Sequence, residues 1–383
     1  MIDIKDKKDC CGCSACVQVC PKQCISMNED EEGFLYPKVK TDLCINCHLC
    51  EKVCPVINQD GTREPLAVYA AKNTDDSIRL NSSSGGIFTL LSEYIINNGG
   101  VVFGAKFNKN WEVVHDYTET KEGIAPFKSS KYVQSRIGST FKEAEKFLKQ
   151  GRQVLFSGTP CQIAGLKKYL RKDYDNLLSV EVVCHGVPSP EVWQYYLNGL
   201  CKEKHIDKDS IKHISFRNKV TGWKDYTFSI EANKNFSHYS RENSFMRGFL
   251  SDLYLRPSCH DCPAKHLKSG SDILLCDYWG IQNIMPEFDD DKGVSGILVN
   301  TEKGRDFINK LTIELRESNF KDIATYNPSM LKSVKVPEKR SYFFNNYQSD
   351  FALTVRNCTT PSFSTRVKNK LKSIIIRFIK HWI

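Results

Sequence analysis

Eight cysteines within the first 54 residues repeat one pattern twice, and no other feature restricts the chain's folds so sharply. Cys10, Cys13, Cys16 and Cys20 run into Pro21; Cys44, Cys47, Cys50 and Cys54 run into Pro55. Both read C-x2-C-x2-C-x3-C-P, in which three close thiolates cap three irons of a [4Fe–4S] cubane and the fourth reaches the other cluster. On that rule Cys10, Cys13, Cys16 and Cys54 hold one cluster, and Cys44, Cys47, Cys50 and Cys20 hold the second. Zinc knuckles use paired C-x2-C units, usually with a longer insert between them. A disulfide framework suits a short secreted chain. Neither accounts for a third cysteine two residues on, repeated with its Pro. Cys11 and Cys24 fall outside the pattern and read as small packing residues.

The chain has 383 residues, 40% hydrophobic and 26% charged, which is ordinary for a soluble globular protein with two or three cores. No apolar run reaches the roughly 18 residues of a membrane span, and MIDIKDKKDC reads as neither secretory nor lipidated. Seventeen thiols without an export signal point to a reducing cytoplasm. The net charge of +9 is local: beyond Asp350 there is no acidic residue, while Arg356, Arg366, Lys368, Lys370, Lys372, Arg377 and Lys380 supply seven positive charges. Nine less seven leaves +2 for the rest, which argues against nucleic acid.

Residues 1–62 are read as one unit, with a linker around Gln59–Pro65. A core follows in two parts, 63–145 and 146–350. Leu66–Ala71, Val101–Ala105, Trp111–His115, Gln153–Ser157, Leu178–Val183, Asp272–Cys276 and Gly296–Asn300 read as strands, and Ile214–Arg217 with Tyr226–Ile230 as a hairpin. Helices are expected from Asn81–Gly86 to about Asn98, over Cys161–Leu170, Pro190–Lys204 and Glu302–Leu315. Strands alternating with helices imply an α/β core. Residues 351–383 read as a basic tail in which Val367, Leu371, Ile374, Ile375, Phe378 and Trp382 recur at helical spacing. Residues 365–383 suit either an anionic membrane surface, here the inner face, or packing on protein.

Four further cysteines have a functional look. Cys161 and Cys184 follow strands, where helix N-termini favour a thiolate. Cys259 and Cys262 have ligand-pair spacing between Pro257 and Pro263. A third cubane, a structural zinc site and inert thiols all remain open from spacing alone. Cys201 and Cys358 read as bystanders. Two turns, Ser82–Gly86 and Ser157–Pro160, offer backbone donors and hydroxyls to an anion, and Lys128–Ser135 adds cations and a ring. A dinucleotide such as FAD could use all three, although neither a G-x-G-x-x-G fingerprint nor a Walker lysine is present.

Lys131–Ser135, Gly158-Thr159-Pro160-Cys161-Gln162, Cys184–Ser189, Cys259-x2-Cys262 and Asp277-Tyr278-Trp279-Gly280, in this order over about residues 65–315, resemble the beta subunits of coenzyme F-420 hydrogenases and dehydrogenases. The resemblance implies a bacterial-type dicluster ferredoxin fused to a mixed α/β flavin-binding core, α+β to α/β in class. It implies FAD near Ser84, Gly85, Gly86, Lys131, Tyr132, Gln134, Ser135 and Thr159, with a cluster on Cys161, Cys184, Cys259 and Cys262 beside the flavin ring. The implied activity is that of a cytoplasmic iron–sulfur flavoprotein oxidoreductase. It would take electrons from a ferredoxin-like donor and reduce deazaflavin or another organic acceptor. An electron-transfer subunit docked to a partner, without a substrate of its own, is the alternative. His185 is the candidate proton donor. Relatives often carry Gly where this chain has Cys276, a departure placed directly before the Asp277 turn.

Overall fold

The computed structural model describes residues 1–360. The tail reading for 365–383 lies outside the described residues. Residues 351–359 do not stand apart from the core: the helix Phe351–Thr359 buries Val355 in the same apolar cluster as Trp193 and Phe245.

The N-terminal unit contains little regular structure. Short helices Ala15–Val19 and Leu49–Lys52 follow the two cysteine loops. Between them an antiparallel hairpin joins β1 (Ile25–Glu29) to β2 (Leu35–Val39). The sequence repeat is also a backbone repeat. Gly12 and Asn46, two residues after the first cysteine of each run, have φ of 72° and 52°; Ser14 and His48, just after the second, have 60° and 58°. These left-handed residues curl each loop on itself.

The core is an eight-stranded mixed sheet in the order β13-β3-β12-β11-β7-β6-β4-β5. In chain order its members are β3 (Ala67–Asn73), β4 (Val101–Phe107), β5 (Val113–Thr118), β6 (Val154–Gly158) and β7 (Leu177–Val182). After the separate three-stranded sheet of β8 (His213–Asn218), β9 (Thr227–Glu231) and β10 (Phe236–Tyr239) come β11 (Ile273–Asp277), β12 (Ser295–Val299) and β13 (Ile313–Glu317). The central neighbours β11, β7, β6 and β4 run parallel; the outer pairs are antiparallel. Parallel strands are covered on both faces, and every residue of β6 is buried. The helix expected over Glu302–Leu315 ends at Asn309. Ile313–Glu317 instead pairs with β3, because that strand's edge is otherwise open and pairing supplies its backbone partners.

The N-terminal unit is seated on the core by specific contacts. The Gln18 side-chain oxygen accepts from the N–H of Phe141 (3.0 Å) and Lys142 (3.2 Å), the first turn of the helix Thr140–Lys149. Those N–H groups have no partner within the helix itself. A Cβ on Gly165, in the helix Pro160–Leu170, would lie 2.8 Å from Cys13 Cβ, so the absence of a side chain lets the cysteine loop reach that helix. Glu32 pairs with Arg340, 2.6 Å from Nη2 to Oε2.

Candidate redox site

Three groups of thiols and one large cavity lie in succession. Cys20, Cys44, Cys47 and Cys50 line one small cavity together with Cys24; its volume is about 350 Å³, open solvent included. Cys54 is not among its walls. It lies with Cys10 and Cys16: burial, followed by repulsion from Cys10 and Cys54, raises the Cys16 thiol to about 12, and burial with repulsion from Cys10 raises that of Cys54. The fourth cysteine of each run thus lies with the other run's thiols, Cys20 at the second loop and Cys54 at the first. Cys24 lies 3.4 Å from Cys20, sulfur to sulfur.

Cys161, Cys184, Cys259 and Cys262 converge from separate elements. Cys161 opens the helix Pro160–Leu170, Cys184 follows β7, and the other two belong to the turn at Pro257–Asp261. Burial is the largest cause raising Cys184 to about 12 and Cys262 to about 11, with neighbouring members of the group adding repulsion. Such thiols stay protonated unless a metal ion takes the proton's place. Among the described residues no three Cys, His, Asp or Glu side chains close on a point that would hold a single ion. Cys11, expected to be a packing residue, is buried, and its thiol faces both Cys13 and Cys161. It joins the first thiol group to the third.

The cavity encloses about 2360 Å³, open solvent at its mouth included. Of the expected cofactor contacts, Ser84, Gly86, Lys131, Tyr132, Ser135 and Thr159 line it, as do Cys184 and His185. Gly85 sits behind the wall, where a Cβ would lie 2.5 Å from Ala71 O; it allows the serine turn to approach β3. Gln134 departs from its expected place. Its side chain turns away from the cavity, donating to Cys11 O (3.1 Å) and accepting from Arg256 (3.0 Å). A neighbouring guanidinium and an open carbonyl satisfy the amide there.

The walls are held by residues that spacing alone did not single out. His115 is buried, which lowers its pKa to about 4, so the ring is neutral. Nε2–H donates to Ser157 O (3.0 Å), leaving Nδ1 to accept from the Ser135 hydroxyl (2.8 Å). Gln162 donates to the same hydroxyl (2.9 Å) and accepts from Thr159 N–H (3.0 Å). Together these bonds fix Ser135 and Thr159 toward the cavity. Lys219, buried and lowered to about 7 by desolvation, donates to Ser84 O (2.7 Å) and Arg79 O (2.8 Å). Lys131, also lowered to about 7 by burial, donates to Pro126 O (2.6 Å) and Lys128 O (2.8 Å), bracing its own loop.

At another wall, Arg217 pairs with Asp277 at 2.5 Å and lies 4.4 Å from the Tyr226 ring centre and 5.0 Å from that of Trp279. Its Nε and Nη2 have no hydrogen-bond partner among the described residues. His185 Nε2 lies 2.6 Å from Asp252 Oδ1, so a carboxylate orients the ring. Cys276 stands opposite Gly296 on β12, and a Cβ there would lie 2.6 Å from its sulfur. The glycine across the ladder makes room for the larger residue before Asp277.

Residues 151–322 match the family described as the C terminus of the coenzyme F420 hydrogenase/dehydrogenase beta subunit, and residues 9–58 match "4Fe-4S dicluster domain". Over residues 151–322 the chain is a relative of those beta subunits, and it carries a two-cluster [4Fe–4S] ferredoxin domain at its N-terminus. It is 27% identical over 165 residues to the F subunit of the F(420)H(2) dehydrogenase of Methanosarcina mazei, covering 40% of this chain and 46% of that protein. The chain thus spans less than half the length of that relative. It is 40% identical over 65 residues to Ferredoxin 7Fe of Hydrogenibacillus schlegelii, covering 16% of this chain and 77% of that one. A chain from the F420-reducing [NiFe] hydrogenase complex of Methanosarcina barkeri superposes with a TM-score of 0.49 at 16% identity, over 70% of this chain and 90% of that chain. The protein is an iron–sulfur relative of one component of an oxidoreductase complex. No helix among the described residues is long and apolar enough to cross a membrane.

Proposed function

We propose that this chain is an iron–sulfur flavoprotein that passes electrons from a ferredoxin-like donor to an organic acceptor, deazaflavin or another reducible compound. The observation that carries the reading is the continuity of the thiol groups. Cys11 faces both Cys13 and Cys161, and Cys184 of the third group is also a wall of the large cavity. The donor sets fit their groups: Cys10, Cys13, Cys16 and Cys54 for one cubane, Cys20, Cys44, Cys47 and Cys50 for the second, and Cys161, Cys184, Cys259 and Cys262 for a third. The cavity, with two hydroxyl-rich turns and buried lysines, fits FAD. When bound, the clusters supply one-electron carriers, and the flavin supplies a centre that takes single electrons and exchanges a hydride with an organic compound.

The chain's own residues do the rest. Thr159 presents its hydroxyl and the serine turn at Ser84–Gly86 its backbone to an anionic diphosphate, the Ser84 hydroxyl itself donating to Val294 O (2.9 Å). Lys219 holds the Ser84 turn in place, and Lys131 braces the neighbouring loop at Pro126–Ser129. Apolar walls, among them Phe127 and Ile87, keep water from the ring's position. The free edge of Arg217 offers a fixed positive charge to a carbonyl or an anion, and His185, oriented by Asp252, is placed to hold a proton at Nδ1. Anaerobic purification with iron, sulfide and flavin quantified tests the reading. About twelve irons and one flavin per chain support it, about eight irons remove the third cluster, and absence of flavin removes the hydride step.

The second reading is an electron-transfer subunit bound to partner subunits, without an organic substrate of its own. It is favoured by likeness to a protein named as one subunit of a dehydrogenase. A purified chain that holds flavin yet reduces deazaflavin only in a complex would support it.

A further inference from the structure

Arg256 is fully buried, and no carboxylate among the described residues neutralises it. Taking a guanidinium out of water is costly unless something of opposite charge compensates it. Its hydrogen-bond partners are neutral. Nε donates to Cys10 O (2.7 Å), Nη2 to Leu35 O (2.9 Å) and Nη1 to Gln134 Oε1 (3.0 Å). The Tyr36 ring centre lies 4.3 Å away. Gln134 in turn donates to Cys11 O, so the guanidinium and this amide together grip consecutive carbonyls of the first cysteine loop. The fit leaves no space: a Cβ on Gly12 would lie 2.9 Å from Nη1. The Arg256 backbone belongs to the other thiol group, its carbonyl accepting from Cys259 N–H at 2.8 Å.

A cubane bound by four thiolates is an anion, and reduction adds one negative charge without breaking a bond. A desolvated cation beside it stabilises the reduced form, and so raises the potential, far more than an exposed, screened one. The outer cavity at Cys20, Cys44, Cys47 and Cys50 has no buried cation among the described residues: its cationic wall groups, Lys22 and the Met1 ammonium, are exposed, and the ammonium is paired with Glu51. We infer that Arg256 is a positioning residue that seats the Cys10–Cys16 loop on the core and sets the cluster held there at a higher potential than the outer one. Electrons entering at the outer cluster would then run inward. The inference rests on the ligand sets proposed above.

The test is an EPR-monitored potentiometric titration of the full chain, purified without oxygen, with dithionite as the electron source and iron and sulfide counted first. For Arg256→Gln the iron content should hold while one reduction step moves to more negative potential and the others stay. Arg256→Lys should restore most of that shift. Full iron with every step unmoved overturns the inference and leaves the ligand sets intact, as does an equal movement of all steps. A wild-type chain without cluster iron removes the ligand sets themselves, and the inference with them. If Arg256→Gln fails to retain iron, Gln134→Glu is read instead. It places a carboxylate against Nη1 and must move the same single step negative; an unmoved step overturns the inference.

Discussion

The N-terminal unit and the sheet core solve the same problem with different materials. The core hides Phe103 and Phe141 against the ring of Phe156, on the wholly buried strand β6. The unit's own buried cluster is Ile2, Cys20, Cys24, Ile25 and Cys50, so three of its five members are thiols. One region is stabilised by apolar area; the other depends on its inorganic contents, as small metal-bound domains do. The comparison teaches that the two regions should fail separately.

The largest expected effect follows from iron removal. Chelation of the anaerobic protein should release residues 1–60 while the far-UV circular dichroism of the sheet survives. Proteolysis across Gln59–Glu64 should then accelerate. Cleavage at an unchanged rate would break the comparison.

The reverse experiment is Phe156→Ala, which empties a fully buried site and should cost the core about 3–5 kcal/mol in urea unfolding. Iron content per folded chain should stay constant. Loss of iron in proportion to stability would show that the unit depends on the apolar cluster its Cys11, Cys13, Ala15 and Val53 share with Phe156.

A smaller effect is expected for Gln162→Ala. It removes both the capping box on Thr159 and the bond to Ser135, at about 1 kcal/mol of stability, and flavin occupancy should fall. Unchanged occupancy would separate these turns from cofactor binding.

The smallest concerns pH. Lys131 and Lys219 are lowered to about 7 by burial, against 10.5 when free. From pH 7 upward the unfolded chain therefore carries protons the folded chain lacks, and stability should rise with pH. Glu181, raised to about 7 by burial, acts in the opposite sense below that range, and the raised thiols act oppositely above about 9. The melting temperature of iron-loaded, flavin-free protein should climb between pH 7 and 9, and Lys131→Met should flatten part of the climb. A flat wild-type curve would contradict the burial of both ammonium groups.

What was legible in the sequence was local. Cysteine spacing, the strand into the helix Pro160–Leu170, and the helix Pro190–Lys204, with Ser189 as its N-cap, all declare themselves within one or two turns. The edge strand Ile313–Glu317 did not, because its residues continue a helical period and only the open side of β3 decides otherwise. Nor did the roles of His115, Gln134 and Arg217. Their deciding partners lie 42, 122 and 60 residues away, and no periodicity encodes such meetings.

The room that Gly296 gives Cys276 carries a consequence for how this sequence can drift. A methyl group at 296 would collide with the sulfur, and also with Ile323 Cδ1 at 2.9 Å. Replacing Cys276 by glycine first would vacate a space that a later alanine at 296 could fill once the flexible end of Ile323 turns aside. The two positions are therefore free to exchange bulk in one order of events and barred from the other.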